Sequence, residues 1–191
     1  MEKQVSELYS QINFWRNLVN DYRTLQKKND TSEVIYSVHE CNDTIFAVIL
    51  KESFSPRENY IPCSYGKRIG YSFYLFKAIF RLFEITNGNF KYIGDAILDF
   101  RSESTSDKFE EPVTLEHIEI SDKNYHGHGF GSILMADIIT YCRDKKMNTI
   151  IGMKSYVDTN TPEKYEHWHR FYVERWGFTE TENGIILRIP D

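Results

Sequence analysis

The chain has 191 residues, 41% of them hydrophobic and 27% charged, which is enough for one large domain, or one domain with an added arm, around a substantial core. A formal charge of −5 argues against a nucleic-acid binder that works by phosphate neutralisation, and its sign suits a basic ligand better. Cys41, Cys63 and Cys142 lack C-x-x-C spacing, no charged and then apolar leader opens the sequence, and the most apolar stretch, residues 69–85, is broken by Lys77, Arg81 and Glu84. A cytoplasmic protein with core thiols, no membrane span and no nucleic-acid partner is expected.

In residues 1–28, Val5, Leu8, Ile12, Trp15, Val19 and Tyr22 recur at three-four spacing between polar residues, which predicts a helix with a narrow apolar stripe. We read residues 1–30 as a helical extension that packs on its own domain, with a homodimer coiled coil as the second reading, and residues 31–191 as the main domain. Residues 34–40 and 44–51 are β-rich and flank Asn42-Asp43, a hairpin pattern. Pro56, Pro62 and Gly66 predict a loop over residues 53–68. Residues 70–86 are apolar all round and stop at Asn87-Gly88, as a buried helix with a glycine cap would. A strand over residues 90–100, through Ile93, Ile97 and Leu98, leads into a polar loop over 101–112 holding Glu103, Asp107, Glu110 and Glu111. That loop is either a solvated face or a rim that attracts a cationic amine.

Residues 114–145 carry the strongest pattern. Ile118 and Ile120 stand in a β-compatible run, whereas Phe130, Ile133, Leu134, Ile138, Tyr141 and Cys142 recur at helical spacing. The period changes at Gly127, Gly129 and Gly131, where missing Cβ atoms let an anion approach main-chain amides at a helix start. Residues 126–132 therefore predict a pyrophosphate cradle. A P-loop is excluded because no Lys follows a glycine at its spacing, and the dinucleotide fingerprint fails at Ser132, where it needs a third glycine.

His126-Gly-His-Gly-Phe-Gly131 resembles the acyl-CoA turn of the GNAT acetyltransferase superfamily, Q/R-x-x-G-x-G/A. Residues 148–153 resemble that family's fifth strand, and Phe171-Tyr-Val-Glu-Arg-Trp-Gly-Phe178 resembles its FYxxxGF helix end. The resemblance covers about residues 92–189; it departs from the family at His126, where Gln or Arg is usual, and by one extra residue between Tyr172 and Gly177. It implies an α/β fold with a mixed, twisted sheet and helices on both faces, and acetyl-CoA as co-substrate. The family places two helices between its first and second strands, whereas this chain opens with a helix and follows with a hairpin.

Direct transfer of acetyl to a primary amine needs a proton acceptor and a proton donor for the departing thiolate. Simple alternation puts Leu115, His117 and Glu119 on one face of the strand and Glu116, Ile118 and Ile120 on the other, and burial would raise a carboxylate towards neutrality. By resemblance Glu116, about ten residues before His126, is the first choice of base, Glu119 the second and His117 the third. The resemblance also implies that the main chain of Ile118, Glu119 and Ile120 takes the pantetheine arm. The pyrophosphate falls to His126, Gly127, His128, Gly129, Phe130, Gly131 and Ser132, and Tyr172 is the general acid. No Cys or Ser stands in an activated setting, so no covalent intermediate is expected. The pairs His126/His128 and His167/His169 raise a zinc site, but no Cys or carboxylate completes a ligand spacing, and no metal is expected. The acceptor is left open among small-molecule and peptide amines; a GNAT-like module that binds CoA or a partner without turnover is the alternative.

Overall fold

The computed structural model describes residues 9, 13, 33–41, 44–62, 68–86, 89–102, 110–154 and 160–190, with 54–62, 68–75, 101–102 and 110–111 as backbone only. Tyr9 and Asn13 are helical and exposed; the rest of the predicted N-terminal extension lies outside the described residues.

One eight-stranded sheet organises the chain: β1 (Glu33–Cys41), β2 (Thr44–Pro62), β3 (Arg68–Thr86), β4 (Asn89–Ser102), β5 (Glu110–Ile120), β6 (Thr149–Met153), β7 (Thr179–Glu180) and β8 (Gly184–Arg188), in the order β1-β2-β3-β4-β5-β6-β8-β7. Neighbours are antiparallel except β5 and β6, and the crossover between these two is helix α1 (Phe130–Asp144). A parallel pair needs such a crossover, because a tight turn cannot carry the chain back to the same end of the sheet. Helix α2 (Pro162–His169) starts at Thr161, whose hydroxyl accepts from the Lys164 amide, and runs into a π-helical segment, Arg170–Arg175.

The hairpin is where the sequence places it, with Cys41 opposite Thr44. The expected buried helix over residues 70–86 is strand β3, paired with β2 along Arg68–Ile85 and with β4 along Tyr74–Thr86. Its period of two is visible in burial: Ala78, Phe80 and Leu82 are buried, while Lys77, Ile79, Arg81 and Phe83 are half-buried. Apolar residues also occupy the outer face, which hides that alternation in the sequence, and the aromatic and β-branched content decides for a strand between two others. The expected loop over residues 53–68 belongs largely to β2 and β3, and Arg101, Ser102 and Glu110–Pro112 of the expected polar loop belong to β4 and β5.

The core lies against one face of the sheet. Phe46, Val48 and Leu50 of β2, Phe80 and Leu82 of β3, Leu98 and Phe100 of β4 and Leu115 of β5 meet Phe130, Leu134, Ile138 and Tyr141 of α1. The Phe46 and Phe130 ring centroids are 4.7 Å apart, and Tyr141 meets Phe80 edge-on at 5.4 Å. Burying each such side chain stabilises the fold by about 1.5–3 kcal/mol, which fixes α1 on the sheet and its N-terminus at the end of β5. Trp168 of α2 and Phe178 join the same cluster, and the Phe171 ring lies against Gly131 of α1. Helices were expected on both faces. Among the described residues both helices feed this one cluster, and the other face carries the half-buried Lys77, Ile79, Arg81, Asp95, Ile97 and Asp99. The result is an α/β fold on a mixed sheet. No described helix is long and apolar enough to cross a membrane.

Candidate active site

Strands β5 and β6 hold together over only three pairs, Val113–Ile150, Thr114–Ile151 and Leu115–Gly152. Beyond Leu115, β5 pairs with β4 alone among the described residues, so the main chain of residues 116–120 has an open edge where the sheet parts, save the Ile120 carbonyl, which accepts from His126. Ile118, Glu119 and Ile120, the residues to which the sequence assigns the pantetheine arm, lie on that edge.

The same strand carries a bulge. Leu98 faces Leu115 and Ile97 faces His117, leaving Glu116 as the extra residue. The bulge reverses the alternation beyond it. Ile118, opposite Ala96, shares the core face with Leu115, whereas His117 and Glu119, opposite Ile97 and Asp95, point the other way. Glu116 also points that way, towards Lys77. The expected split of Glu116 from His117 and Glu119 is therefore wrong: one inserted residue gathers all three on the face opposite α1. At the far end Gly94 faces Ile120, and a Cβ there would stand 2.1 Å from the Glu119 carbonyl oxygen, so only glycine lets β4 and β5 close beside the edge.

After Ile120 a short 3₁₀ turn, Lys123–Tyr125, is capped by Asp122, whose carboxylate accepts from the Asn124 amide at 3.0 Å. Gly127 and Gly129 follow at φ 78° and 88°, in left-handed conformations that a Cβ disfavours. No side chain caps α1. Among the described residues the amides of Gly127, Gly129, Phe130 and Gly131 have no main-chain partner, and they stand at the positive end of the helix. Ser132 Oγ is buried without a hydrogen-bond partner among the described residues. This donor set fits a pyrophosphate. His126 Nε2, by contrast, donates to the Ile120 carbonyl at 2.6 Å, so this imidazole ties the turn to the strand end, and His128 is exposed.

On the face opposite α1, Lys77 Nζ lies 2.9 Å from Glu116 Oε2 and 3.5 Å from Asp99 Oδ1. Burial, then the neighbouring Glu116, pushes the Asp99 carboxyl up to about 6. Glu116 moves the other way: a hydrogen bond from Asp99, then Lys77, holds it below its ordinary range. The upward shift expected at the first-choice base thus falls on its neighbour. Beside them His117 Nε2 lies 3.2 Å from Asp95 Oδ1, and Glu119 is exposed opposite Asp95. The sequence reading missed Lys77, Gly94, Asp95 and Asp99. Two aspartates four apart in an apolar strand were the available signal, since that spacing puts both on one face.

Tyr172 lies in the π-helical segment. A π turn takes up one residue more than an α turn, which houses the extra residue between Tyr172 and Gly177. The segment closes with Gly177 N–H donating to Val173 and Phe178 N–H to the Tyr172 carbonyl. The Tyr172 ring packs among Phe171, Phe178 and Trp168, with centroids 4.9, 5.6 and 5.7 Å away. Through Phe171 on Gly131, this segment meets the start of α1. His169 Nδ1 lies 3.4 Å from Glu174, and among the described residues no three metal-binding side chains gather.

No protein-family model and no curated protein matches the sequence. Among solved structures the chain is similar to GNAT acetyltransferases. A GNAT-family acetyltransferase from Desulfovibrio desulfuricans is 18% identical over 59% of this chain and 70% of that one, at a TM-score of 0.42. A ribosomal-protein alanine N-acetyltransferase from Escherichia coli is 21% identical over 59% and 69%, at a TM-score of 0.37. The acetyl-CoA-bound AtaTR structure is 16% identical over 59% and 68%, at a TM-score of 0.40.

Proposed function

We propose that the protein is an acetyl-CoA-dependent N-acetyltransferase acting on a primary amine in the cytoplasm. One observation carries the reading: β5 and β6 part after Leu115 and Gly152, and the strand freed there leads directly into a helix start with open amides. An open strand edge suits the amide-bearing pantetheine arm, and the amides of Gly127, Gly129, Phe130 and Gly131, with the Ser132 hydroxyl, suit the pyrophosphate. Acetyl-CoA supplies an activated acetyl thioester.

The chain's own groups then bind, orient and move protons. The open main chain of Ile118–Ile120, apart from the Ile120 carbonyl that His126 occupies, orients the thioester. The face bearing Glu116, His117 and Glu119 receives the acceptor and takes its proton, and its carboxylates suit an incoming ammonium. Tyr172 donates to the departing sulfur. Cys142 is buried in the core, whereas Cys41, expected as a core thiol, is exposed at the end of β1, on the far side of β2–β4 from β5; neither described thiol stands at the strand edge, which favours direct attack over a covalent intermediate.

Calorimetric titration with acetyl-CoA, followed by thiol release against a panel of amines, tests the proposal. Binding with release on one class of amine is expected. Binding without release on any amine would favour a non-catalytic CoA-binding module, and absence of binding would overturn the cradle.

A further inference from the structure

We propose that the acceptor's proton is taken by His117 and that Asp95, on the neighbouring strand, is the positioning residue that prepares it. The inference rests on the acetyl-transfer reading and assigns a step within the same site.

Three candidates stand on the face opposite α1. Glu116 is held between Lys77, at 2.9 Å, and the Asp99 carboxyl. A carboxylate that already accepts from an ammonium at 2.9 Å has little tendency to take another proton. Glu119 is exposed and has no ring or ion partner among the described residues to orient it. His117 is both held and reachable. Its Nε2 lies 3.2 Å from Asp95 Oδ1, its side chain is 41% exposed, and Nδ1 has no partner among the described residues.

A carboxylate beside one ring nitrogen fixes the neutral imidazole with its hydrogen on that nitrogen, leaving the other as acceptor, and then stabilises the imidazolium that forms. The bulge makes this arrangement, because Ile97 opposite His117 and Asp95 opposite Glu119 place the carboxylate diagonally across from the ring. On this face Arg81 of β3 stands opposite Asp95, Tyr92 of β4 interacts with Asp95 and Glu119, Glu116 interacts electrostatically with the ring, and Lys77 of β3 reaches Glu116.

His117 Nδ1 removes one proton from the acceptor ammonium, and the freed nitrogen lone pair forms the C–N bond at the acetyl carbonyl. When the carbonyl reforms and the C–S bond breaks, Tyr172 gives its proton to the sulfur, and the nitrogen's second proton passes through water to the Tyr172 oxygen and restores it. The products are the amide and the free thiol, with one proton released from His117 to solvent.

The test combines nitrogen NMR of the His117 ring with kinetics of the full chain. In the neutral protein the hydrogen is expected on Nε2, and Asp95→Ala, which removes the acceptor, should let that hydrogen redistribute to Nδ1. An unchanged tautomer would overturn the pairing. His117→Gln should leave acetyl-CoA affinity intact by calorimetry and lower kcat by about 100-fold. Asp95→Ala should lower kcat by about ten-fold while leaving acetyl-CoA affinity intact. A wild-type rate profile in His117→Gln would sink the assignment while leaving the acetyltransferase reading in place. Acetyl-CoA binding without thiol release on any amine would sink both.

Discussion

Leu115 and Gly152 are the last facing residues of the only parallel pair among the described strands, and one residue later Glu116 bulges out of its ladder with β4. These two irregularities produce the candidate site. The lost pairing frees a main-chain edge, and the extra residue turns Glu116, His117 and Glu119 to one face.

Gly94 is the residue most sensitive to substitution at that edge. A Cβ there would meet the Glu119 carbonyl oxygen at 2.1 Å and the Ile120 Cα at 2.9 Å, and main chain cannot move aside as a side chain can. Gly94→Ala should destabilise the fold by about 2 kcal/mol or more, read by urea unfolding, and weaken acetyl-CoA binding by displacing residues 118–120. Unfolding at the wild-type midpoint would show that the strands are not so closely set.

Gly129 behaves differently, because nothing lies within 4 Å of a Cβ built there and the obstacle is its φ of 88°. Gly129→Val should cost about 1–3 kcal/mol in stability and abolish acetyl-CoA binding by calorimetry, since a reset backbone would turn the amides at the helix start. Undiminished binding in this variant would remove the turn from the site.

Glu116→Gln should leave acetyl-CoA affinity within about two-fold and slow turnover by less than about ten-fold, because a carboxylate engaged by Lys77 tunes the face without carrying the proton. A loss as large as that of His117→Gln would return the base to Glu116.

Tyr172→Phe should retain binding and lower thiol release by about ten-fold to 100-fold. Deleting Glu174, an exposed residue of the π-helical segment, should convert the π turn to an α turn with little loss of activity, since the π geometry already absorbs the extra residue. Unfolding of the deletion variant would mean that the segment depends on its present length.

Asp99 gives the protein a definite pH response. Its folded-state value of about 6 lies above the ordinary 3.8, so the native state keeps a proton that the unfolded chain has lost. Its contribution is fully present below about pH 4 and is lost as pH rises through 6. Glu116, held low, contributes in the opposite sense, and its share is lost only as pH falls below the ordinary carboxylate range. Asp99→Asn can donate to Glu116 as the protonated acid does. Urea midpoints at pH 4 and pH 7 should show the variant gaining on the wild type by on the order of 1 kcal/mol at the higher pH. Parallel pH curves for the two proteins would contradict this assignment.

Much of the second half was legible because its signals are local. The change of period at Gly127 and Gly129 marks a strand, a turn with positive φ and a helix, each dictated by residues next to one another in sequence. The β1–β2 hairpin was legible for the same reason. Residues 70–86 were not, since a strand with apolar side chains on both faces carries no visible alternation, and only β2 and β4 on either side supply the partners that make it a strand. The faces of residues 116–119 were not legible either, because a bulge exists only relative to the partner ladder. The sequence by itself determined the chemical inventory: a glycine turn able to receive an anion, and two carboxylates and a histidine one strand away. The tertiary structure decided that Lys77 and Asp99 hold Glu116 and that Asp95 meets His117, because those partners lie on other strands and come within hydrogen-bonding distance only when the sheet assembles.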